Sequence, residues 1–466
     1  MTSSPWITQK VTRLLPEGNA VRSTRERLDA TLGRPGEALS PRAMRRVLAQ
    51  LRAIVDPQLS EAEGGLRARD MALWYATASP AERRDLWLLM SEQFVADPQV
   101  ARAAQAELAA AMGTADQAAA EVRFRRATVS PRRRLLQRFS AYDKGIRFLV
   151  DMRAELLPCL KSDKRLQALD VEMEYMFSTW FDVGFLELRG ISWDSPASLI
   201  EKLIKYEAVH DIKSWSDVKN RLDSDRRCYG FFHPRLPDEP LIFVEVALMD
   251  HIADSIGPLL DESADLVNLA KATTAIFYSI SNTQIGLRGV SFGDSLIKRV
   301  VETLKQESPR LKTFATLSPI PGFRHWLGRN LEGLLERLDA KARASLARAL
   351  RSGAAPADQM LASAHNVSQI PVGSPVRKAL EQFAAHYLGQ GLQDGRPIDA
   401  VARFHLGNGA RVERIHWAAD GSAKGHKQSF GLMVNYLYDL KKLDKHRAQL
   451  ASGTVPVSPA IDVLKF

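Results

Sequence analysis

The chain has 466 residues, 45% hydrophobic and 25% charged, a globular composition that excludes collagen-like, largely disordered and disulfide-framework proteins. Lys and Arg number 64 against 54 acidic residues, a net charge of +10, which favours anionic partners without choosing among nucleic acid, acidic membrane and phosphorylated small molecules. Every apolar stretch falls short of the ~20 residues needed to span a bilayer, and Cys159 and Cys228 share no metal-ligand or CxxC spacing, so a soluble protein of a reducing compartment is expected. The amino-terminal end lacks the apolar run of a secretory signal, and the closing Asp462-Val463-Leu464-Lys465-Phe466 is not the Ser-Lys-Leu peroxisomal address; the expected location is the cytoplasm.

Residues 1–38 read as a flexible lead-in closing at Gly33-Arg34-Pro35-Gly36. From 39 to 190 the pattern is that of an all-α helical bundle. Ser-Pro pairs at Ser40, Ser79, Ser130 and Ser195 each place a capping hydroxyl before a proline at the first helical position. Ser79-Pro80-Ala81-Glu82 completes a capping box. Met44, Val47, Leu48, Leu51 and Val55 recur at helical spacing, and the stretch from Val100 to Val122 is rich in alanine, the strongest helix former. The basic cluster Arg125-Arg126 and Arg132-Arg133-Arg134 carries no aromatic interleaving, so it reads as a solvated face or a subunit contact and not as a nucleic-acid footprint.

Residues 191–466 read as a mixed α/β domain. A helix from Pro196 leads to a hairpin, Cys228–His233 against the apolar run 241–249. A helix around 258–270, a strand Ala275–Thr283, a glycine-bearing loop, a helix Asp294–Gln306 and a strand Lys312–Leu317 follow. An Ala/Leu/Arg-rich helical insertion over about 325–398 comes next. Val401–Leu406 and Arg411–Trp417 flank Gly407-Asn408-Gly409 as a second hairpin, and a final helix runs over about 428–442.

The loop Gly286-Leu287-Arg288-Gly289-Val290-Ser291-Phe292-Gly293-Asp294 joins a strand to an amphipathic helix. Glycines allow close backbone approach, and free N–H groups at a helix start favour anions, so a pyrophosphate would suit it. The spacing is neither GxGxxG nor GxxxxGK[ST]. His233, His325, His416 and His426 have no ligand spacing and HExxH is absent, so no metal site is assigned.

Strand, Arg-x-x-x-x-Gly turn, helix and strand together resemble the acyl-CoA-binding heart of the GNAT acyltransferase fold, with Ser291 where that signature has its first glycine. Longer strings narrow the resemblance. Phe277-Tyr278-Ser279-Ile280-Ser281-Asn282-Thr283-Gln284, Leu296-Ile297-Lys298-Arg299-Val300-Val301, Leu317-Ser318-Pro319-Ile320-Pro321-Gly322-Phe323, Phe404-His405-Leu406-Gly407-Asn408-Gly409-Ala410 and Gly431-Leu432-Met433-Val434-Asn435-Tyr436 occur in that order. Over roughly 190–445 the chain resembles the malonyl-CoA decarboxylase family. The resemblance implies an α+β protein with a GNAT-like catalytic domain that splits malonyl-CoA into acetyl-CoA and carbon dioxide. It implies Ser318 and His405 as the catalytic pair, Tyr438 on the final helix beside them, and Arg288, Gly289, Val290, Ser291, Phe292, Gly293 and Asp294 as the CoA loop. It also implies a homo-oligomer, dimer or tetramer, built through the helical domain.

The chemistry fits these residue types. Loss of carbon dioxide pushes electrons into the thioester carbonyl, so the substrate is its own electron sink and neither metal nor organic cofactor is called for. A serine hydroxyl can orient the carboxylate without the full opposing charge that would stabilise the ground state. A histidine with a near-neutral pKa can protonate the resulting carbanion. Two rival readings are a GNAT-type acyltransferase acting on amines, and a basic helical nucleic-acid or scaffold protein whose binding would fall steeply with salt.

Overall fold

The computed structural model describes residues 39–290, 292, 296–350, 360, 367 and 369–464, and the expected lead-in over 1–38 lies outside them. The chain forms two compact units: Met1–Asp182 with Gln284–Ser291, and Val183–Thr283 with Phe292–Phe466. The first is helical and the second is built on a mixed sheet, an α+β protein.

In the helical unit, helices Pro41–Ile54, Pro80–Gln93 and Pro131–Ala141 begin where the Ser-Pro pairs fall, with Ser40, Ser79 and Ser130 accepting bonds from backbone N–H groups of the first turn. Ser79 and Glu82 cap reciprocally, and Ser60 and Glu63 do the same for helix Glu61–Thr77. The alanine-rich stretch forms two helices, Pro98–Ala111 and Gln117–Thr128, parted by Gly113 at φ 76°. Helices Gly145–Leu156 and Gln167–Trp180 complete the unit, around a core that includes Leu51, Leu86, Met90, Leu135, Phe139, Leu149 and Leu169. The basic cluster divides. Arg125 and Arg126 are exposed, whereas Arg132 is buried, against the expected solvated face. Its guanidinium donates to the carbonyls of Met90 (3.1 Å), Ala168 (3.2 Å) and Ser91. Two of these are carbonyls that helix Pro80–Gln93 leaves without partners at its end. Burial lowers the Arg132 pKa without removing its charge-assisted bonds.

The second unit carries an eight-stranded sheet in the order β1-β2-β3-β4-β5-β10-β6, with β9 also paired to β10. Its strands are β1 Glu187–Ile191, β2 Arg226–His233, β3 Leu236–Met249, β4 Thr274–Asn282, β5 Thr313–Thr316, β6 Ser318–Pro319, β9 Arg411–His416 and β10 Met433–Leu437; β7 Leu392–Gln393 and β8 Arg396–Pro397 form a separate ribbon. β2, β3 and β4 run as an antiparallel meander, and β4 pairs parallel with β5. A parallel neighbour needs a crossover, and helix Leu296–Glu307 lies in that connection with Leu296, Ile297, Val300, Val301 and Leu304 buried. This is the mixed α/β arrangement expected from the sequence, with strand, loop, helix and parallel strand in the expected order. Helices Phe323–Arg337, Ala340–Leu350 and Pro375–Gln390 follow β6.

Four local expectations are overturned. Ser195 caps no helix: its hydroxyl accepts from Ser192 N, and helix Ala197–Tyr206 starts after Pro196 with no side-chain cap. The helix around 258–270 shrinks to Gly257–Leu260, because Asp261 and Asn268 bind the backbone N–H groups of Ser263 and Ala270, a local competitor of helix. The second hairpin does not form. Residues 401–406 lie in helix Ala400–Gly407, capped by Asp399 and burying Ala402, His405 and Leu406 at helical spacing, and Arg411–His416 pairs instead with β10. The final helix over 428–442 is replaced by β10. Helix Ala423–Ser429 stops at Phe430 and Gly431, both at positive φ, and Met433–Leu437, buried at four successive positions, shows no period-two alternation of apolar and exposed polar residues.

Candidate active site

The parallel ladder between β4 and β5 ends at Phe277 opposite Thr316, with one further bond from Leu317 N to the Phe277 carbonyl (3.0 Å). β4 continues to Asn282 against β3, while Ser318-Pro319 turns to pair with β10. A cleft of about 200 Å³ lies at this parting, lined among others by Phe277, Ser279, Asn282, Ser318, Phe404 and His405. From Ser318 and His405 at its polar end a chain of four side chains runs into the protein. Ser318 Oγ donates to Thr316 Oγ1 (2.8 Å) and lies 3.3 Å from His405 Nε2, and His405 Nδ1 lies 2.7 Å from the Tyr438 hydroxyl.

Each member is held by the fold. Val434 of β10 pairs with Ser318, and the Tyr436 N–H donates to Thr316 Oγ1 (3.1 Å). The Asp399 cap starts the helix that brings His405 inward, and the imidazole stacks on Tyr436 at 4.7 Å between centroids, 26° between planes. Tyr438 follows the last residue of β10, where its N–H donates to the Phe314 carbonyl (2.9 Å), and its ring meets Phe277 edge-on at 6.4 Å.

Burial alone pushes His405 down to about 3 and raises Tyr438 well above the ordinary phenol. Both are therefore neutral at pH 7, which differs from the near-neutral imidazole expected from the sequence. With Ser318 donating to Thr316, its lone pair faces an Nε2–H, and Tyr438 donates to Nδ1. A neutral donor relay is what a buried site can keep at low cost, and an anionic ligand beside Nε2 would raise the imidazole again.

The structure thus brings together Ser318, His405 and Tyr438, the last from the end of a strand and not from a helix. Of the expected CoA loop, Arg288, Gly289 and Val290 belong to the helical unit, with Arg288 and Gly289 exposed and Val290 buried. Gly289 takes φ 84°, a conformation that favours glycine. Within that unit, Arg153 is 1% exposed, pairs with Asp170 (2.8 Å), and donates to the carbonyls of Gly286 (2.8 Å) and Arg288 (2.9 Å). Phe292 is buried in the other unit, and Ser291, Gly293 and Asp294 lie outside the described residues. Thr316 and Tyr436 were not singled out as site residues: Thr316 stands in no motif, Tyr436 only closes one of the family strings, and strand pairing brings them to the site. The Asp399 cap, by contrast, was there to be read as Asp before Ala-Val-Ala. Among the described residues, no group of three or more His, Cys, Asp and Glu converges as metal ligands would.

Comparison with known proteins bears on most of the chain. Residues 184–465 match the malonyl-CoA decarboxylase C-terminal domain, and residues 94–181 match the malonyl-CoA decarboxylase N-terminal domain. The mitochondrial malonyl-CoA decarboxylase of Mus musculus is 38% identical over 343 residues, 69% of this chain and 68% of that protein. The mitochondrial malonyl-CoA decarboxylase of Anser anser anser is 35% identical over 359 residues, 72% of this chain and 70% of that protein. The crystal structure of malonyl-CoA decarboxylase from Rhodopseudomonas palustris superposes with a TM-score of 0.77 at 39% identity, covering 90% of this chain and 98% of the other. The one from Cupriavidus metallidurans gives 0.74 at 42% identity, covering 91% and 100%. On the strength of both domain matches, and of relatives that run through most of its length, the chain belongs to the malonyl-CoA decarboxylase family.

Proposed function

We propose that this carboxy-lyase converts malonyl-CoA to acetyl-CoA and carbon dioxide in the cleft at the β4–β6 parting, with Ser318 orienting the carboxylate, His405 delivering the proton and Tyr438 supporting the imidazole. The observation that carries the reading is the buried Ser318–His405–Tyr438 chain at one end of that cleft.

The net reaction consumes one proton: the malonyl carboxylate leaves as neutral carbon dioxide, and C2 gains a hydrogen. The electron pair of the bond between C2 and the carboxylate carbon passes into the thioester carbonyl to give an enolate, so the substrate supplies the electron sink and the proposal needs neither metal nor organic cofactor. Ser318 presents a neutral hydroxyl to the carboxylate, turning the breaking bond out of the thioester plane without a counter-ion that would hold the charge in place. The anionic acyl group beside Nε2 offsets the desolvation that keeps His405 neutral in the free site, so the imidazole takes up a proton with substrate. The imidazolium then donates from Nε2 to C2, while Nδ1–H donates to the Tyr438 oxygen. The edge of β4 beyond Phe277 offers backbone N–H and C=O groups to an extended, amide-bearing pantetheine arm. Arg288 and the loop to Asp294 are proposed to hold the CoA phosphates. A cytoplasmic location and a homo-oligomer through the helical unit complete the reading; two free cysteines suit a reducing compartment.

The test is to incubate the purified protein with malonyl-CoA and follow carbon dioxide and acetyl-CoA, with Ser318→Ala and His405→Ala alongside. Turnover in the parent and its collapse in both variants, with CoA affinity retained, are expected. Unchanged turnover in both would remove the pair from the mechanism, and acetyl transfer to amines in place of decarboxylation would overturn the function. Fractionation and light scattering test location and assembly.

A further inference from the structure

Between helices Ala197–Tyr206 and Trp215–Arg221 runs an irregular segment, 207–214, whose Val209 lines the same cleft as Ser318 and His405. Irregular backbone at a surface ordinarily leaves its polar groups to water. Here all six N–H and C=O groups of residues 208–210 bond to side chains. Ala208 N donates to Ser281 Oγ (3.0 Å), and the Val209 and His210 N–H groups both donate to Glu207 Oε1 (2.7 and 2.8 Å). The carbonyls of Ala208 and Val209 accept from Lys424 Nζ (2.6 and 3.0 Å), and the His210 carbonyl accepts from Arg221 Nη2 (2.9 Å). Glu207, itself buried, is tied to β4 by Ser279 Oγ (2.7 Å) and Ser281 Oγ (3.1 Å). Arg221 is locked by Asp217 (2.7 Å) and Glu245 (2.9 Å).

A three-residue stretch so fully determined is a fixed wall, and it fixes a branched apolar side chain against the space where the acyl group must lie. We propose that residues 208–210 are the specificity wall of the acyl pocket: Val209 excludes malonyl thioesters branched at C2, and Glu207 is the positioning residue that holds Val209 in place. The inference rests on the decarboxylase reading. It goes beyond it by assigning acyl selectivity to a segment outside the catalytic chain. A close-packed apolar pocket discriminates one methyl group by roughly 10–200-fold, enough to register as a ratio of specificity constants.

The experiment measures kcat/KM for malonyl-CoA and methylmalonyl-CoA in the wild type, Val209→Ala, Glu207→Gln and Lys424→Met. Gln keeps the size of Glu207 but loses acceptor capacity, and the Lys424 side chain is 40% exposed, so that variant can lose its two carbonyl bonds and still fold. Val209→Ala is expected to raise the methylmalonyl-to-malonyl ratio about tenfold or more. The two positioning variants should raise it by less, since a loosened wall yields but does not vanish. General destabilisation would depress both substrates together and leave the ratio fixed, and that outcome in Glu207→Gln and Lys424→Met overturns the positioning role. An unchanged ratio in Val209→Ala overturns the wall. If wild-type protein releases no carbon dioxide from malonyl-CoA, the underlying reading fails; if it does, and Ser318→Ala abolishes that release, a fixed ratio counts against the wall alone.

Discussion

Replacing Tyr438 by Phe removes one oxygen from the proposed catalytic chain and little else. The ring keeps its edge-on contact with Phe277, and the backbone bond to the Phe314 carbonyl is untouched, so the variant is expected to fold. What it loses is the partner 2.7 Å from His405 Nδ1. The imidazole and the phenol are 3% and 4% exposed, so water cannot readily take the place of the hydroxyl. A hydrogen bond to a charged group contributes about 1.5–3 kcal/mol, and Nδ1–H needs this one most when the imidazole is protonated. At about 1.4 kcal/mol per factor of ten, that is a fall in kcat of roughly 10- to 150-fold. Tyr438 is not among the residues lining the cleft, so KM should change little. The assay is steady-state release of acetyl-CoA across malonyl-CoA concentrations. A kcat equal to that of the parent would refute the role given to Tyr438, and a change confined to KM would make it a binding group.

Three further outcomes are expected. Arg288→Ala, an exposed change that should leave the melting temperature alone, is expected to weaken CoA binding in calorimetry; altered turnover at unchanged affinity would contradict the phosphate role. Gly286→Ala should lower stability by about 1–3 kcal/mol, because an added Cβ would meet the Val150 carbonyl oxygen at 1.9 Å; an unshifted urea midpoint would refute the close approach. Stability should fall as pH drops from about 6.5, where unfolded histidine takes a proton, towards about 3, where His405 does so in the fold. In that window the unfolded state holds more protons, so stability is complete above it and is lost on acidification. His405→Gln should flatten the pH dependence of urea midpoints only in part, since burial holds His210 down to about 4 as well; an unchanged slope would count against the buried neutral imidazole.

How legible the site was can be traced through its members. Ser318 and His405 sit in strings specific enough to point to a family, and they could be named before any geometry. Their setting could not be read as well. Residues 401–406 read as a strand because Val, Phe and Leu favour one, yet the Asp399 cap and the burial of positions 402, 405 and 406 make a helix. Tyr438 was placed on a helix because Met433–Leu437 offers no alternation, as expected for a strand covered on both faces. Arg132 looked like part of a solvated basic run, and only the neighbouring helix end, with its unpaired carbonyls, explains why it is buried. Of the network around residues 208–210 only Ser279 and Ser281 fall in a string quoted from the sequence; its other members come from two helices, a second strand and the segment itself.

The sequence by itself determined the helical caps at Ser40, Ser79 and Ser130, the β2–β3 hairpin, the crossover helix after β4, and the strings that nominate Ser318 and His405 as candidates. These depend on neighbours a few positions away, or on strings long enough to be specific. Only the tertiary structure decided that His405 is neutral at rest, that Tyr438 reaches Nδ1 from the end of a strand, and that Val209 is pinned in the cleft. Burial, strand pairing and the saturation of backbone polar groups are set by residues far apart in the chain, and their energies exist only once the chain has brought those residues together.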